Sequence, residues 1–178
     1  MDDKIDWALY TQLLGLQDFE VVDVLEDPKR KERRLVLVPR VPLGMCPHCS
    51  RVCGERHECH EWEVRDLPMG AMATILLVGF WQFRCEDCDK FFTPHYAVIA
   101  PGAHATERLL ERMADMVRFS DIRNAAGFFG VPEKTLESWY YEFLERKRQA
   151  PAEGAKPVGS LGIDELSLKK STGSSAAC

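Results

Sequence analysis

The spacing of apolar residues predicts strands in the first half of the chain and helices in the second. Residues 5–16 carry apolar side chains at helical spacing, which predicts a short helix ending near Gly15. Residues 19–25 and 34–38 are strand-like apolar runs. The polar segment 26–31 between them predicts a turn, so the two runs are expected to form a hairpin.

Two more strands are predicted in the middle of the chain. Residues 61–66 alternate weakly between apolar and polar, and residues 73–84 are rich in β-branched and aromatic side chains. Pro68-Met69-Gly70 lies between these runs and is typical of a turn.

Three consecutive helices are predicted between residues 104 and 148. Thr106 is a suitable N-cap for the first. The second ends at Gly130, and the third opens at Pro132, a residue favoured at the first helical position, and fades near Arg148. Residues 149–160 have the composition of a linker. Residues 171–178 are small and polar, which is typical of a disordered end.

Composition and charge narrow the class of protein. The chain is 46% hydrophobic and 29% charged, and its apolar runs are shorter than the roughly 20 residues of a membrane span. The acidic N-terminus does not resemble a secretory signal, so we expect a cytoplasmic protein without a membrane partner. A net charge of -5 means that any contact with nucleic acid must come from local basic patches, such as residues 29–34 or 146–148.

Six of the seven cysteines lie between Cys46 and Cys88, a cluster that in a reducing compartment more often binds metal than forms disulfides. Cys46 and Cys49 form one Cys-x-x-Cys pair, and Cys85 and Cys88 form another. Each pair can supply two corners of a tetrahedron around Zn²⁺, and four thiolates would close its coordination shell. The prediction is a structural zinc ribbon; the alternative is four buried free thiols.

Four further side chains in this window could bind metal: Cys53, His57, Cys59 and His60. They could form a second site or exchange into the first. The simpler interpretation, which we favour, is that they are surface or half-buried residues of the ribbon.

The second and third predicted helices have the spacing of a helix-turn-helix. The small residue Ala126 allows a close crossing, Gly130 makes the turn, and Leu136 and Trp139 place the third helix against the core. Outward-facing residues early in that helix, with the basic residues at its end, are the predicted contacts to double-stranded DNA: Lys134, Thr135, Ser138, Tyr141, Arg146, Lys147 and Arg148. The alternative is a plain three-helix bundle with a solvated charged face.

Several short strings in a fixed order resemble the N-terminal part of the ISL-three family of insertion-sequence transposases. They are Cys46-Pro-His-Cys49, Val64-Arg-Asp-Leu-Pro68, Phe83-Arg-Cys85 with Cys88, the helix-turn-helix, and Leu161-Gly-Ile-Asp-Glu-Leu-Ser-Leu-Lys169. The resemblance covers residues 13–170. It implies that the ribbon and the helix-turn-helix bind the terminal inverted repeats of the element.

The resemblance also implies a ribonuclease-H-like domain with two aspartates and a glutamate that bind Mg²⁺ or Mn²⁺ in a full-length relative. Asp164 matches the first aspartate, whereas the other two carboxylates have no counterpart in this chain. We therefore expect a truncated product of a frameshift or early stop, inactive alone. Its expected partners are terminal-repeat DNA, a second copy, or a full-length transposase.

The expected fold is α+β, a small β-rich zinc ribbon followed by a three-helix helix-turn-helix bundle. The expected domains are an N-terminal helix and hairpin at 1–45 packed on the ribbon, the ribbon at 46–100, the helix-turn-helix at 104–148, the linker, and a catalytic-domain stub at 161–178. The alternative function is a protein-interaction or regulatory module, which the acidic balance and four aromatic residues favour: Trp81, Phe83, Phe91 and Phe92.

Overall fold

The computed structural model describes residues 7–149, which form a mixed α+β fold of helices and strands. The predicted linker beyond Gln149, the predicted catalytic-domain stub and Asp164 lie outside the described residues. The helices are α1 (Trp7–Leu14), α2 (Glu107–Phe119), α3 (Ile122–Phe129) and α4 (Glu133–Gln149). The strands are β1 (Phe19–Asp27), β2 (Glu32–Pro39), β3 (Gly44–Met45), β4 (Val52–Cys53), β5 (Arg56–Met69), β6 (Met72–Cys85) and β7 (Lys90–Phe92).

The main sheet has the strand order β1-β2-β6-β5, and β7 pairs with the end of β6. The predicted hairpin of β1 and β2 is confirmed, since the two strands pair antiparallel from Phe19↔Pro39 to Asp27↔Glu32. Strand β2 then pairs in parallel with β6, so the N-terminal hairpin shares one sheet with a cysteine-bearing strand. No local pattern in the sequence indicates this pairing, because it joins segments that are distant in the chain.

Strands β5 and β6 form a hairpin of 14 residues on each side, longer than the two predicted runs. The predicted turn lies slightly later, at Gly70 and Ala71, and Gly70 has a positive φ of 68°. Pro68 is therefore within β5, where it is tolerated because β5 is an edge strand with an irregular register between Asp66 and Met69.

One face of the sheet forms an apolar core under α1. Leu35, Leu37, Leu76 and Val78 are almost fully buried there, packed with residues from α1 and from the segment after β7. The hydroxyl of Thr11 in α1 accepts a hydrogen bond from the Val21 backbone N–H at 2.9 Å, which ties the helix to β1.

The three predicted helices at 104–148 are present, and they pack around a second core. Thr106 caps α2 as expected, accepting a hydrogen bond from the Leu109 N–H, and Gly130 ends α3 in the left-handed conformation. Leu110 and Leu136 are among the most buried residues of this core. None of the helices in residues 7–149 combines the length and apolar character needed to cross a membrane.

A buried carboxylate joins the sheet to the helices. The Asp66 side chain on β5 is 1% exposed and forms an ion pair with the Arg108 guanidinium of α2, with Nε at 2.8 Å from Oδ1. The Thr106 hydroxyl donates to the same oxygen at 2.7 Å. Arg108 also donates to the Leu14 carbonyl at 2.6 Å, so one cluster connects β5, α1 and the start of α2.

The neighbouring residue on β5, Arg65, makes a second connection. Its backbone N–H donates to the His104 carbonyl at 2.8 Å, and its carbonyl accepts from the Thr106 N–H at 2.9 Å. Its guanidinium donates to the carbonyl of Gly130 at 3.1 Å. The turn between α3 and α4 is therefore attached to the sheet through the side chain of Arg65.

We expect Asp66→Ala to lower the free energy of unfolding by about 1–3 kcal/mol, because Thr106 loses its buried acceptor and the partly exposed Arg108 loses its ion pair. Urea denaturation measures this change. The matched control is Asp115→Ala on the exposed side of α2, expected within about 0.5 kcal/mol of wild type. Equal stabilities for the two variants would contradict the role assigned to Asp66.

Candidate metal centre and candidate nucleic-acid interface

The two Cys-x-x-Cys pairs lie on similar tight turns. The first follows β3, where the Cys46 N–H donates to the Arg51 carbonyl and the Ser50 N–H donates to the Cys46 carbonyl, both at 2.8 Å. The second pair begins at Cys85, the last residue of β6. The residue after each pair, Ser50 or Asp89, has a positive φ of 60° or 51°. This reversal of the backbone brings the two thiols of each pair to the same side of their turn.

The four thiols converge on one point. The Cys46 and Cys88 sulfurs are 3.6 Å apart, those of Cys49 and Cys85 are 3.5 Å apart, and all four lie within 4.8 Å of one another. A disulfide bond measures about 2.05 Å, so these cysteines are free thiols. Sulfurs bonded at about 2.3 Å to a tetrahedral ion would be roughly 3.8 Å apart. The donor set and its spacing therefore fit a single metal ion.

Local hydrogen bonds and burial shift the pKa values of these thiols in opposite directions. The pKa of Cys85 is lowered to about 6, chiefly because the backbone N–H of Cys88 donates to its sulfur. Burial raises the pKa of Cys88 to about 12. Since only the thiolate binds metal, an incoming cation must displace protons, and its affinity rises with pH.

A small apolar core supports the cluster. It contains Cys46, Cys53, Phe83, Cys85 and Phe92, all nearly or fully buried. Phe83 and Phe92, two of the aromatic residues that favoured an interaction module, therefore belong to this core, whereas Phe91 is 48% exposed.

Gly44 packs directly against this core. A Cβ atom there would lie 2.9 Å from ring atoms of both Phe83 and Phe92, closer than carbon atoms normally approach. The absence of a side chain at position 44 therefore lets β3 lie against the aromatic rings below the cysteines.

An ion pair links the two turns. The Arg51 guanidinium follows the first cysteine pair and contacts Asp87, which lies between the cysteines of the second. The pKa of Asp87 is lowered by this hydrogen bond. Neither Gly44 nor Arg51 was predicted from the sequence. The sequence signal for Arg51 was weak. It is a basic residue just after the first Cys-x-x-Cys pair, and the second pair has acidic residues between its cysteines.

The four additional ligand candidates do not join the cluster. Cys53 is buried on β4, and burial raises its pKa to about 11. His57, Cys59 and His60 lie on β5, where His57 contacts the Phe91 ring and His60 stacks on Phe80. Within residues 7–149, the four cysteines are the one group of histidine, cysteine and acidic side chains placed to hold a metal ion.

The residues predicted to contact DNA divide into two sets. Lys134, Ser138 and Tyr141 are exposed on α4, although the Ser138 hydroxyl donates to Glu142 at 2.8 Å. Thr135 is half-buried and lines a groove between α4 and the sheet.

The basic residues at the end of α4 are paired with acidic residues of the same molecule. Arg146 pairs with Glu107, Lys147 with Glu111 at 3.2 Å, and Arg148 with Glu145 at 2.8 Å. The Arg146 and Lys147 cations also lie over the Phe143 ring. The Arg146 and Lys147 ion pairs hold α4 against α2, and the three pairs together neutralise much of the positive charge of this patch.

Comparison with known proteins finds a similarity to the transposase for insertion sequence element IS1001 of Bordetella parapertussis. The two are 27% identical over 168 residues, which cover 93% of this chain and 41% of that protein. The similarity therefore includes the cysteine turns and the helices, and it supports a relationship with transposases. The chain spans less than half the length of this relative. No protein-family model matches the chain, and no solved structure matches it.

We expect the purified chain to bind one equivalent of a thiophilic metal ion, measured by native mass spectrometry. Cys46→Ser and Cys85→Ser should lose the ion, because three thiolates leave the shell open. Cys59→Ser is the control, since this exposed thiol lies outside the cluster. A wild-type chain without metal, or a Cys85→Ser variant that retains it fully, would contradict the assignment.

Gly44→Ala is expected to lower the free energy of unfolding by about 1–3 kcal/mol, because the Phe83 and Phe92 rings must shift. Gly127→Ala is the control, because an added Cβ meets nothing within 4 Å inside helix α3. This second change should stabilise the chain by about 0.5–1 kcal/mol. Thermal or urea unfolding distinguishes the two signs, and a stabilised Gly44→Ala variant would refute the packing argument.

Proposed function

We propose that this chain is the DNA-binding part of an insertion-sequence transposase and that it recognises the terminal inverted repeats of its element. The similarity to the IS1001 transposase over nearly the whole chain carries this proposal. The order of the folded parts agrees with it, because the four-cysteine cluster precedes three helices that pack as one unit.

The metal in this proposal is zinc, in a structural role. Four thiolates favour a soft or borderline metal, and tetrahedral sulfur coordination is typical of zinc. The shell would be complete without water, which leaves no position for a substrate. The ion would connect β3 and β4 to the β6–β7 turn, as in a zinc ribbon.

The helix-turn-helix in this proposal consists of α3 and α4. Ala126 and Val131 are buried at the crossing, and the Val131 N–H donates to the Ala126 carbonyl at 3.0 Å. Helix α4 would enter the major groove, with Lys134 and Ser138 near base edges and Tyr141 near the backbone. Thr135 would contribute less to DNA binding because it is half-buried. The basic residues 146–148 would also contribute less because they are already ion-paired.

Asp164 has a place in the same proposal. It matches the first catalytic aspartate of the transposases that the sequence resembles, and it follows the described residues. In a full-length protein it would help to bind Mg²⁺ or Mn²⁺ for strand cleavage. The partner of this chain on DNA would be a second copy of the chain or a full-length transposase. An insertion element has two terminal repeats, and such a pair of proteins would bring them together.

We expect the chain to bind a 30-base-pair duplex of its terminal repeat more tightly than a shuffled duplex of the same composition, measured by fluorescence anisotropy. Lys134→Ala with Ser138→Ala should reduce that preference by roughly 10- to 100-fold, the effect of losing specific base contacts. Binding to the shuffled duplex should change little.

The control is Lys90→Ala, which removes one positive charge from an exposed position on β7. Equal affinity of the wild-type chain for both duplexes would contradict repeat recognition. A protein complex that is insensitive to salt, with no DNA binding, would instead select the alternative of a protein-interaction module.

A further inference from the structure

Three turns that are distant in the sequence line one cleft. The β1–β2 turn contributes Arg30 and Lys31, the β5–β6 turn contributes Gly70 and Ala71, and the end of α3 contributes Gly130. The tip of the first hairpin therefore faces the turn of the proposed helix-turn-helix across this cleft.

Backbone and side-chain hydrogen bonds hold the walls of the cleft in place. The Ala73 N–H at the start of β6 donates to the Lys31 carbonyl at 2.8 Å. On the other side, Arg65 of β5 donates to the Gly130 carbonyl at 3.1 Å. Both walls are thus attached to the same end of the β5–β6 hairpin, and their spacing does not depend on flexible side chains alone.

The β1–β2 turn carries positive charge that is not ion-paired, unlike the basic patch at the end of α4. The cations at 146–148 are ion-paired, as are Arg33 with Glu26 and Arg34 with Glu63. Arg30 lies 3.8 Å from Asp27 at an exposed position. Lys29 and Lys31 are exposed, and neither side chain forms an ion pair within the described part of the chain. Other exposed cations without an ion pair in residues 7–149, such as Lys90, Arg112 and Lys134, occur singly, whereas this turn carries two such lysines two positions apart.

We propose that the β1–β2 turn, through Lys29 and Lys31, binds phosphates of duplex DNA beside the groove that α4 enters. The inference rests on the proposed function and adds a second contact surface to it. The charge of the turn complements the phosphate backbone, and its position across the cleft from Gly130 places it next to the duplex held by α4. The hairpin would act as an arm that fixes the orientation of the helices on DNA.

The contribution of these two lysines to DNA affinity follows from counterion release. Each phosphate neutralised on a duplex adds about 0.9 to the slope of log affinity against log salt concentration. Two lysines would thus account for about 1.8 of the slope and, at 0.1 M salt, for an affinity factor of at least tenfold. The contact carries no base information, so it should strengthen binding to any sequence equally.

The test compares two double variants with the same change in net charge. Lys29→Glu/Lys31→Glu changes the β1–β2 turn, and Lys90→Glu/Arg112→Glu changes exposed positions elsewhere. Affinity for the terminal-repeat and shuffled duplexes is measured by anisotropy at several salt concentrations. The first variant should lose at least tenfold affinity for both duplexes at 0.1 M salt and lower the slope by about 2, whereas the control should change affinity less than threefold.

Circular dichroism and a thermal melt establish that each variant is folded. The milder variant Lys29→Gln/Lys31→Gln repeats the test with less perturbation, and Lys29→Arg/Lys31→Arg should keep wild-type affinity. Unchanged affinity and slope in the glutamate and glutamine variants, with a wild-type chain that binds DNA, would overturn this inference and leave the proposed function intact. A wild-type chain that binds neither duplex would overturn both.

Discussion

The buried pairing of Asp66 with Arg108 and Thr106 determines how the two halves of this protein meet. Burying a carboxylate to 1% exposure is costly unless such partners hydrogen-bond to it, so the start of α2 lies against β5. Arg65, the adjacent residue, attaches the α3–α4 turn to the same strand. Two consecutive residues on one edge strand therefore orient the helices, and Thr106 both caps α2 and completes the cluster.

The β5–β6 hairpin connects the Asp66 cluster to the other end of the molecule. At one end of the hairpin, β5 begins and β6 ends near the cysteine turns. The other end contacts the helices and the β1–β2 turn. The four thiols close the first end over the Phe83 and Phe92 rings, where Gly44 allows the close approach. A metal ion there would stabilise the β5–β6 hairpin, which positions the helices at its opposite end.

The charge distribution bears on the proposed DNA binding. The chain is acidic overall, and many of the cations in residues 7–149 are ion-paired with acidic residues, including the three at the end of α4 that the sequence suggested as DNA contacts. A basic patch identified by sequence is therefore not equivalent to available positive charge. In this fold the exposed lysines of the β1–β2 turn, beside the turn of the proposed helix-turn-helix, are better placed to meet phosphates.

Local sequence patterns were sufficient to predict the helices, their caps at Thr106 and Gly130, the β1–β2 hairpin and the four cysteines. This is because capping, turn chemistry and Cys-x-x-Cys spacing act over a few neighbouring residues. The tertiary structure alone decided the parallel pairing of β2 with β6, the Asp66 cluster and the ion pairs of Arg146 and Lys147 with α2. Each of these joins segments far apart in the chain. Their energies depend on burial and on partners that appear only when the chain is folded, so no local pattern in the sequence encodes them.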